Sequence, residues 1–226
     1  ETERYNATHD SLTNLLNKSS FYEAVGGLVT ADPNNRYLAI YIDINEFKII
    51  NDIYGQEFGD NMLIEVANML EANAPYDAIV GRLSGDKFGM CVPKDEFNEE
   101  YLIDTLSNFK ADNGMMKQRI MIHAGIYEIT DPYIDPPIML DRAHMALSTV
   151  KNNYHQIVEY YSDEMLNEAV WNQHITSELY DALRTNQIVP YIQPIVNEQG
   201  KIVGGEALVR WIHPEYGFLS PASFVP

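Results

Sequence analysis

Two apolar runs joined by a short polar turn constrain the fold of this chain more than any other feature. Residues 78–83 (AIVGRL) and 87–92 (KFGMCV) both have the composition of β-strands. The Ser-Gly-Asp turn between them favours a β-hairpin, because Gly85 can adopt the positive φ that such turns require. Asp86 is therefore predicted at an exposed hairpin tip, where ordinary turn chemistry and cation binding are both open interpretations.

A second acidic residue follows another predicted strand. Residues 36–42 (RYLAIYI) are apolar after the first position, as in a central strand that is covered on both faces, and we expect this strand to end at Asp43. Two carboxylates at strand ends can hold a divalent cation beside an anionic ligand. A nucleotide phosphate with its magnesium ion would fit such a pair.

Helical periodicity surrounds these strands. The spacing of apolar residues predicts helices over 18–30 (capped by Asn17), 45–52, 57–73, 94–110 and 137–153, and further strands over 119–129 and 156–161. Hairpin and crossover connections are mixed, which indicates an α+β fold. Phe47, Lys48 and Asn51 share one face of their helix, and Asp60 falls in the first turn of the next helix.

Composition limits the classes of partner. The chain has 226 residues and a net charge of -18, so its surface repels nucleic acid and anionic membranes.

The single cysteine, Cys91, is predicted to be buried in a strand, which indicates a reducing, cytoplasmic compartment. No apolar run has the length of a membrane helix. The chain begins at Glu1 and stops at Pro226 in mid-pattern, so we expect a longer parent protein, with a membrane anchor left open.

The last quarter of the chain has a different organisation. A helix is predicted over 163–186, which we interpret as a connector between domains, followed by strands over 188–195 and 201–211. A single hairpin has no closing partner, so this segment is predicted to be an incomplete second domain. The six histidines show no metal-binding spacing, and neither a GxGxxG nor a Walker motif is present.

Four segments together resemble the GGDEF family, the diguanylate cyclases that join two GTP molecules into cyclic di-GMP. The matching segments are Asp10-Ser-Leu-Thr-Asn-Leu-Leu-Asn17 with Phe21, Asp43-Ile-Asn-Glu-Phe-Lys48 with Asn51, Asp52, Gly55, Gly59 and Asp60, Arg82-Leu-Ser-Gly-Asp-Lys-Phe88, and Ala143 to Lys151. This resemblance covers residues 1–162. The tail, residues 187–226, resembles the start of an EAL domain, the cyclic di-GMP phosphodiesterase family, through Tyr191-Ile-Gln-Pro-Ile-Val196, Gly205-Glu-Ala-Leu-Val-Arg-Trp211 and His213-Pro214.

The resemblance implies a mostly antiparallel sheet flanked by helices, like the nucleotidyl cyclase core and polymerase palm, followed by the truncated start of a TIM-barrel-like domain. It also implies a GTP site with magnesium. The metal ligands would be Asp43, Asp86 and the carbonyl of Ile44. The groups that line or bind GTP would be Phe47, Lys48, Asn51, Asp60, Ser84, Gly85, Lys151 and His155, with Asn51 and Asp60 reading the guanine edge.

Several positions depart from the family pattern. Ser84 replaces the first glycine of the signature, and Lys87 replaces an acid that active members carry, so we predict that this catalytic position is non-functional. Asn45 stands at a position that is often aspartate, and His155 stands where an arginine usually binds phosphate. The family's inhibitory product site would fall on Pro75 and Ala78 and is therefore absent.

On the EAL side, the resemblance implies that Glu206 is a metal ligand and that Gln193, Leu208 and Arg210 line the dinucleotide site. The other metal ligands would lie beyond Pro226, so we expect no hydrolysis of cyclic di-GMP by residues 1–226.

Three hypotheses remain open at this point. The leading one is a degenerate GGDEF domain without cyclase activity that acts as a GTP-binding or regulatory module for the attached EAL domain. The second is a cyclase of low activity, which requires two such domains face to face in a homodimer. The third is a dimerisation scaffold that binds no nucleotide.

Overall fold

A six-stranded mixed sheet lies at the centre of the first of two units, which divide between Ser162 and Asp163. The computed structural model describes residues 7–112, 117–151 and 153–225. The strands of this sheet are β1 (Leu16–Asn17), β2 (Tyr37–Ile44), β3 (Ile79–Ser84), β4 (Lys87–Pro93), β7 (Ile122–Ile129) and β8 (Val158–Tyr160), and a separate short hairpin is formed by β5 (Lys110–Asp112) and β6 (Lys117–Arg119). The helices of this unit are α1 (Lys18–Ala31), α2 (Phe47–Tyr54), α3 (Gln56–Asn73), α4 (Glu99–Ser107) and α5 (Pro136–Val150).

The order of strands across the sheet is β1-β3-β4-β2-β7-β8. Strand β2 pairs antiparallel with β4 on one side and with β7 on the other. The two edge strands, β1 and β8, pair in parallel with their neighbours. The predicted α+β class is therefore confirmed, with antiparallel pairing in the centre and parallel pairing at both edges.

The two faces of β2 explain its apolar sequence. Leu38, Ile40 and Ile42 belong to one buried cluster, to which α3 contributes Met62, Leu63 and Val66. Tyr37 and Ala39 belong to a second cluster, to which α1 contributes Phe21 and Val25, and α5 contributes Met139, Leu140 and Ala143. Alternate side chains of a strand point to opposite faces of the sheet, so helices on both sides require a strand that is apolar throughout.

The predicted hairpin and the predicted helix α5 are confirmed. Gly85 has a φ of 52° between β3 and β4, as the turn requires. Six apolar side chains at helical spacing along α5 are buried, and they are Met139, Leu140, Ala143, Ala146, Leu147 and Val150. Asn17 caps α1, because its side chain accepts a hydrogen bond from the amide of Ser20.

Other boundaries differ from the sequence predictions. Strand β2 extends to Ile44, so Asp43 lies inside the strand rather than after it. The helix predicted over 94–110 is shorter, because Asn98 accepts a hydrogen bond from the amide of Tyr101 and thereby starts α4 at Glu99. The strand predicted over 119–129 is interrupted at residues 120–121, between β6 and β7. Asp60 lies one residue further into its helix than predicted, because α3 begins at Gln56 rather than at residue 57.

Helix α5 packs directly on the backbone of β7 at Gly125. A β-carbon at this position would lie 1.9 Å from the carbonyl oxygen of Ala143 and 2.5 Å from the amide nitrogen of Leu147. We expect Gly125→Ala to lower the free energy of unfolding by about 1 to 3 kcal/mol or more, because the helix must move away from the sheet. Urea denaturation measures this change.

Gly27→Ala is the matched control for that substitution. Gly27 lies in α1, and a β-carbon there would meet nothing within 4 Å. Alanine favours a helix over glycine by up to about 1 kcal/mol, so this variant should be as stable as the parent or more stable. Equal stability of the two variants would contradict the close packing of α5 on β7.

The second unit contains helix α6 (Asp163–Arg184) and a three-stranded antiparallel sheet of β9 (Ile188–Val196), β10 (Ile202–His213) and β11 (Gly217–Leu219). Its buried cluster joins Ile175 and Ala182 of α6 to Trp211 of β10. The indole nitrogen of Trp211 donates a hydrogen bond to the side chain of Gln187 at 3.0 Å. Among the described helices of the whole chain, none is both long enough and apolar enough to cross a membrane.

Candidate nucleotide site

Asp43 is a buried carboxylate on the central strand, and only 1% of the residue is exposed. The residues directly opposite Asp43 in the sheet are Lys87 on β4 and His123 on β7. The ammonium group of Lys151, at the end of α5, lies 2.8 Å from Oδ2 of Asp43. Within the part of the chain that the structure describes, Oδ1 of Asp43 has no hydrogen-bond partner. The structure thus places one cation on this carboxylate and leaves its second oxygen available.

The turn of the β3–β4 hairpin brings Asp86 next to the end of β2. The amide of Ile44 donates a hydrogen bond of 3.3 Å to the backbone carbonyl of Asp86. The side chain of Asp86 is only 18% exposed and lies 2.9 Å from the ammonium group of Lys87. Asp86 is therefore not at an exposed tip, as the sequence suggested, because the chain folds its side chain back toward the sheet and Lys87 pairs with it.

Lys87 is a stable cation in this position. Burial alone would lower its pKa, but the hydrogen bond and charge of Asp86, together with the charge of Asp43, hold the pKa above its ordinary value. Lys87 therefore carries its positive charge throughout the physiological pH range. The two strand-end carboxylates are each paired with a lysine, in a protein with a large excess of acidic residues.

Two aromatic side chains pack together beside the buried carboxylate. The rings of Tyr41 on β2 and His144 on α5 have centroids 4.7 Å apart. Burial, reinforced by the charge of Asp43, raises the pKa of Tyr41, and burial lowers the pKa of His144. At neutral pH both rings are therefore uncharged, and neither alters the charge balance at Asp43.

Helices α2 and α3 form the second part of the candidate site. A β-carbon at Gly59 would lie 1.8 Å from Oδ1 of Asn51 and 3.3 Å from the ring of Phe47, so both side chains rest on the bare backbone of α3. Among the described residues, Oδ1 of Asn51 has no hydrogen-bond partner. Asp60 follows Gly59 directly. The structure therefore holds a buried amide acceptor, without a donor among the described residues, against Gly59 of α3.

The remaining predicted site residues lie at the surface. Lys48, Ser84, Gly85 and His155 are exposed. The backbone amide of His155 donates a hydrogen bond to Oδ1 of Asn153 at 2.9 Å, which ties this residue to the loop that follows α5.

Asp43, Asp86 and the carbonyl of Ile44 would supply the oxygen ligands that magnesium prefers. Oδ1 of Asp43 is buried without a partner among the described residues, and the hydrogen bond from the amide of Ile44 to the carbonyl of Asp86 joins the end of β2 to the turn that carries Asp86. The ammonium groups of Lys87 and Lys151 lie within 3 Å of these carboxylates and oppose any further positive charge. No group of three or more His, Cys, Asp or Glu side chains suited to a metal ion occurs in residues 7–112, 117–151 and 153–225.

Arg82 anchors the hairpin turn, and sequence reasoning did not assign it this role. Its Nε donates a hydrogen bond to the carbonyl oxygen of Gly85 at 2.9 Å, and its Nη1 lies 2.8 Å from Oδ1 of Asp10. The same carboxylate oxygen accepts hydrogen bonds from the amide and hydroxyl of Thr13. Both Asp10 and Arg82 lie in the segments that resemble the family, which was the available signal, but their contact joins residues that are distant in sequence.

We expect Asp10→Ala to lower the free energy of unfolding by about 2 kcal/mol at pH 7, because it removes charge-assisted hydrogen bonds from Arg82 and Thr13. Burial would raise the pKa of Asp10, but these hydrogen bonds hold it below its ordinary value of 3.8. The contribution of Asp10 to the free energy of unfolding is therefore fully present above pH 3.8. It is lost as the pH falls through the lower pKa that Asp10 has in the folded state.

Urea denaturation at pH 7 and at pH 3 tests this expectation, with the exposed Asp77→Ala as a control. If Asp10→Ala and the parent differ in their free energy of unfolding by the same amount at pH 3 as at pH 7, this expectation is contradicted.

In the second unit, the predicted EAL residues share one face of the hairpin. Glu206, Leu208 and Arg210 alternate along β10, and Gln193 of β9 lies directly opposite Glu206. Gln193 and Glu206 are exposed, whereas Leu208 and Arg210 are partly buried. The strand pairing thus brings together the four side chains that the sequence singled out.

Comparison with known families follows the same division of the chain. The family model for the diguanylate cyclase GGDEF domain matches residues 7–156, and the model for the EAL domain matches residues 176–226. The chain therefore belongs to the GGDEF family, with the start of an EAL domain after it.

Two curated relatives are named for the synthesis or the hydrolysis of cyclic di-GMP. The chain is 28% identical to the bifunctional diguanylate cyclase/cyclic di-GMP phosphodiesterase MucR of Pseudomonas aeruginosa, over 97% of this chain and 33% of that protein. It is 26% identical to the cyclic di-GMP phosphodiesterase PdeR of Escherichia coli, over 97% of this chain and 34% of that protein. The chain thus spans about a third of the length of these relatives.

Solved structures share the fold. The GGDEF domain of TpbB (YfiN) from Pseudomonas aeruginosa superposes with a TM-score of 0.61 and 22% identity, over 70% of this chain and 97% of that one. The S helix-GGDEF-EAL structure of LapD from Vibrio cholerae, bound to c-di-GMP, gives a TM-score of 0.61 and 18% identity, over 99% of this chain and 53% of that one. These structures support the palm-like fold of the first unit.

Proposed function

We propose that this chain is part of a cyclic di-GMP signalling protein in which the GGDEF domain binds GTP without cyclising it and regulates the EAL domain that follows. Membership of the GGDEF family and the adjoining EAL match support the signalling role. The names of the relatives, which include a bifunctional enzyme and a phosphodiesterase, agree with it.

Guanine is the base that the pair of Asn51 and Asp60 complements. The edge of guanine carries one carbonyl acceptor and adjacent N–H donors. An amide can donate to the carbonyl while its oxygen and the carboxylate accept from the N–H groups, and Oδ1 of Asn51 has no other described partner. Adenine presents the opposite arrangement of donor and acceptor on this edge, so it would leave site groups unpaired, at about 1 to 3 kcal/mol each.

The triphosphate would lie against a set of lysines. Lys87 and Lys151 are at the two strand-end carboxylates, and Lys48 is exposed on α2. Each ammonium group can move from its carboxylate to a phosphate oxygen. The net charge of -18 otherwise repels an anionic ligand, so these local cations are what binding requires.

A single observation carries the proposal that turnover is absent: the ammonium group of Lys87 lies 2.9 Å from Asp86. Bound magnesium in a cyclase would neutralise the charge that develops on the phosphates. A lysine at this position repels a second metal ion with an energy on the order of 4 kcal/mol per unit charge at about 4 Å and an effective dielectric near 20. Lys87 would instead hold the triphosphate and partly replace that metal.

A cyclase of low activity is the second candidate, and the presence of both Asp43 and Asp86 favours it. This activity would need a homodimer with the two sites face to face. The formation of cyclic di-GMP from GTP and magnesium separates it from the regulatory module.

Thermal unfolding with and without nucleotide tests the binding proposal. We expect GTP to raise the melting temperature and ATP at the same concentration to raise it less, because only a ligand that binds the folded state stabilises it. The absence of any GTP-dependent rise would instead favour a dimerisation scaffold that binds no nucleotide.

A further inference from the structure

We infer that His123 is a positioning residue that fixes the loop carrying Lys151 and His155 over the end of β2. This inference rests on the proposed GTP site, because it assigns to His123 the task of holding two of that site's groups in place.

His123 is almost fully buried and lies beside the centre of the site. It stands on β7 directly opposite Asp43, and only 1% of it is exposed. Its Nε2 lies 3.1 Å from the backbone carbonyl oxygen of Asn153. A carbonyl oxygen only accepts hydrogen bonds, so Nε2 carries the proton and His123 is the donor.

Two neighbouring residues of the sheet therefore hold the same short segment at two points. Asp43 on β2 pairs with Lys151 at 2.8 Å, and His123 on β7 binds Asn153 at 3.1 Å. The amide of Asn153 also donates to the carbonyl of Val150 at 2.8 Å, which continues the end of α5.

Asn153 in turn forms hydrogen bonds with the residues that follow it. Its Oδ1 accepts hydrogen bonds from the amide of His155 at 2.9 Å and from the amide of Gln156 at 3.2 Å. Hydrogen bonds thus connect the buried ring of His123 to Asn153, and Asn153 to the two residues His155 and Gln156. Displacement of Asn153 would shift Lys151 on one side and His155 on the other.

The second ring nitrogen shows that packing alone does not explain this histidine. Among the described residues, Nδ1 of His123 has no hydrogen-bond partner. A buried polar nitrogen without a partner is unfavourable, and an apolar side chain of similar size would avoid that cost. The hydrogen bond from Nε2 is therefore the feature of His123 that benefits the protein.

Three substitutions at position 123 separate the effect of losing the hydrogen-bond donor from the effect of losing the volume of the ring. His123→Gln keeps an N–H donor, because its amide nitrogen is as many bonds from the β-carbon as Nε2 is. His123→Leu removes the donor and keeps apolar volume. His123→Asn is polar but too short to reach Asn153, so it replaces the leucine variant as the test if that variant fails to fold.

Hydrogen exchange is the first measurement, and it requires no nucleotide. We expect His123→Leu to speed the exchange of the amides of His155 and Gln156 by about tenfold, the effect of losing one hydrogen bond, and His123→Gln to leave it unchanged within about twofold. Unchanged exchange in both the leucine and the asparagine variants would overturn the inference.

The second measurement is the affinity for GTP, determined by calorimetry. We expect His123→Leu to weaken GTP binding by about tenfold and His123→Gln to retain it, since one correctly placed hydrogen bond is involved. In a Lys151→Ala/His155→Ala background, His123→Leu should add at most about a twofold loss, because both positioned side chains are already absent. A full, additive loss would mean that His123 does not act through these two side chains and would overturn the inference. If the parent binds no GTP, the proposed function fails, while the exchange data still decide whether His123 positions the loop.

Discussion

Lys87→Glu should make GTP binding strongly dependent on magnesium. In the parent, the ammonium group of Lys87 lies 2.9 Å from Asp86, and in the proposed site it supplies the positive charge that a metal ion would otherwise bring. The substitution changes the local charge by two units, and each unit interaction is on the order of 4 kcal/mol at about 4 Å before screening by solvent and salt. We therefore expect chelation of magnesium to weaken GTP binding by at least tenfold in the variant and by less than about threefold in the parent.

Two further variants identify the origin of that effect. Lys87→Met keeps the length of the side chain without its charge and should lie between the parent and the glutamate variant. Lys201→Glu produces the same change in net charge at an exposed residue of the second unit and should bind GTP as the parent does. Equal magnesium dependence in the parent and in Lys87→Glu would show that Lys87 does not substitute for a metal. Turnover need not appear in Lys87→Glu, since Ser84 and His155 remain.

Asn51→Ala should weaken GTP binding by about tenfold or more and should leave ATP binding nearly unchanged. The loss of one hydrogen-bonding partner leaves groups of the guanine edge unpaired, at about 1 to 3 kcal/mol each. The amide is buried against Gly59, with no competing partner for its oxygen among the described residues. Calorimetric titration with both nucleotides measures the change in selectivity.

Gly59→Ala provides an independent test of the same contact. Its β-carbon would lie 1.8 Å from Oδ1 of Asn51, so the amide must move although its chemistry is unchanged. We expect this variant to reproduce the loss in Asn51→Ala. Asn61→Ala, which removes an exposed amide next to Asp60, should have no effect on affinity. Equal affinity of the parent for ATP and GTP would count against Asn51 and Asp60 as the base-reading pair.

The fold could be predicted from the sequence where periodicity is strong. The buried side of α5 follows from apolar residues at helical spacing, and the β3–β4 hairpin follows from two apolar runs around Gly85. The β5–β6 hairpin was missed, because Lys110–Asp112 and Lys117–Arg119 are short and mostly polar. The start of α4 was misplaced because apolar spacing alone does not locate the cap, which is Asn98 accepting a hydrogen bond from the amide of Tyr101.

The sequence singled out candidate site residues, among them Asp43 and Asp86, but not the contacts that these residues make. The pairing of Asp43 with Lys151 joins residues 108 positions apart. The role of His123 likewise depends on a contact with Asn153, 30 positions further along the chain. The register of β2 with β4 and β7 places Lys87 and His123 opposite Asp43, and α5, which packs on β7 at Gly125, carries Lys151 at its end. A local sequence pattern contains neither the register nor this packing.

The central claim is that this GGDEF domain binds GTP and does not cyclise it. The most direct measurement is to titrate the unmodified protein with GTP, with magnesium and with a chelator, and to separate the nucleotides of each sample by chromatography after prolonged incubation. We predict saturable GTP binding under both conditions and recovery of the nucleotide as GTP. Robust synthesis of cyclic di-GMP in the presence of magnesium would contradict this account.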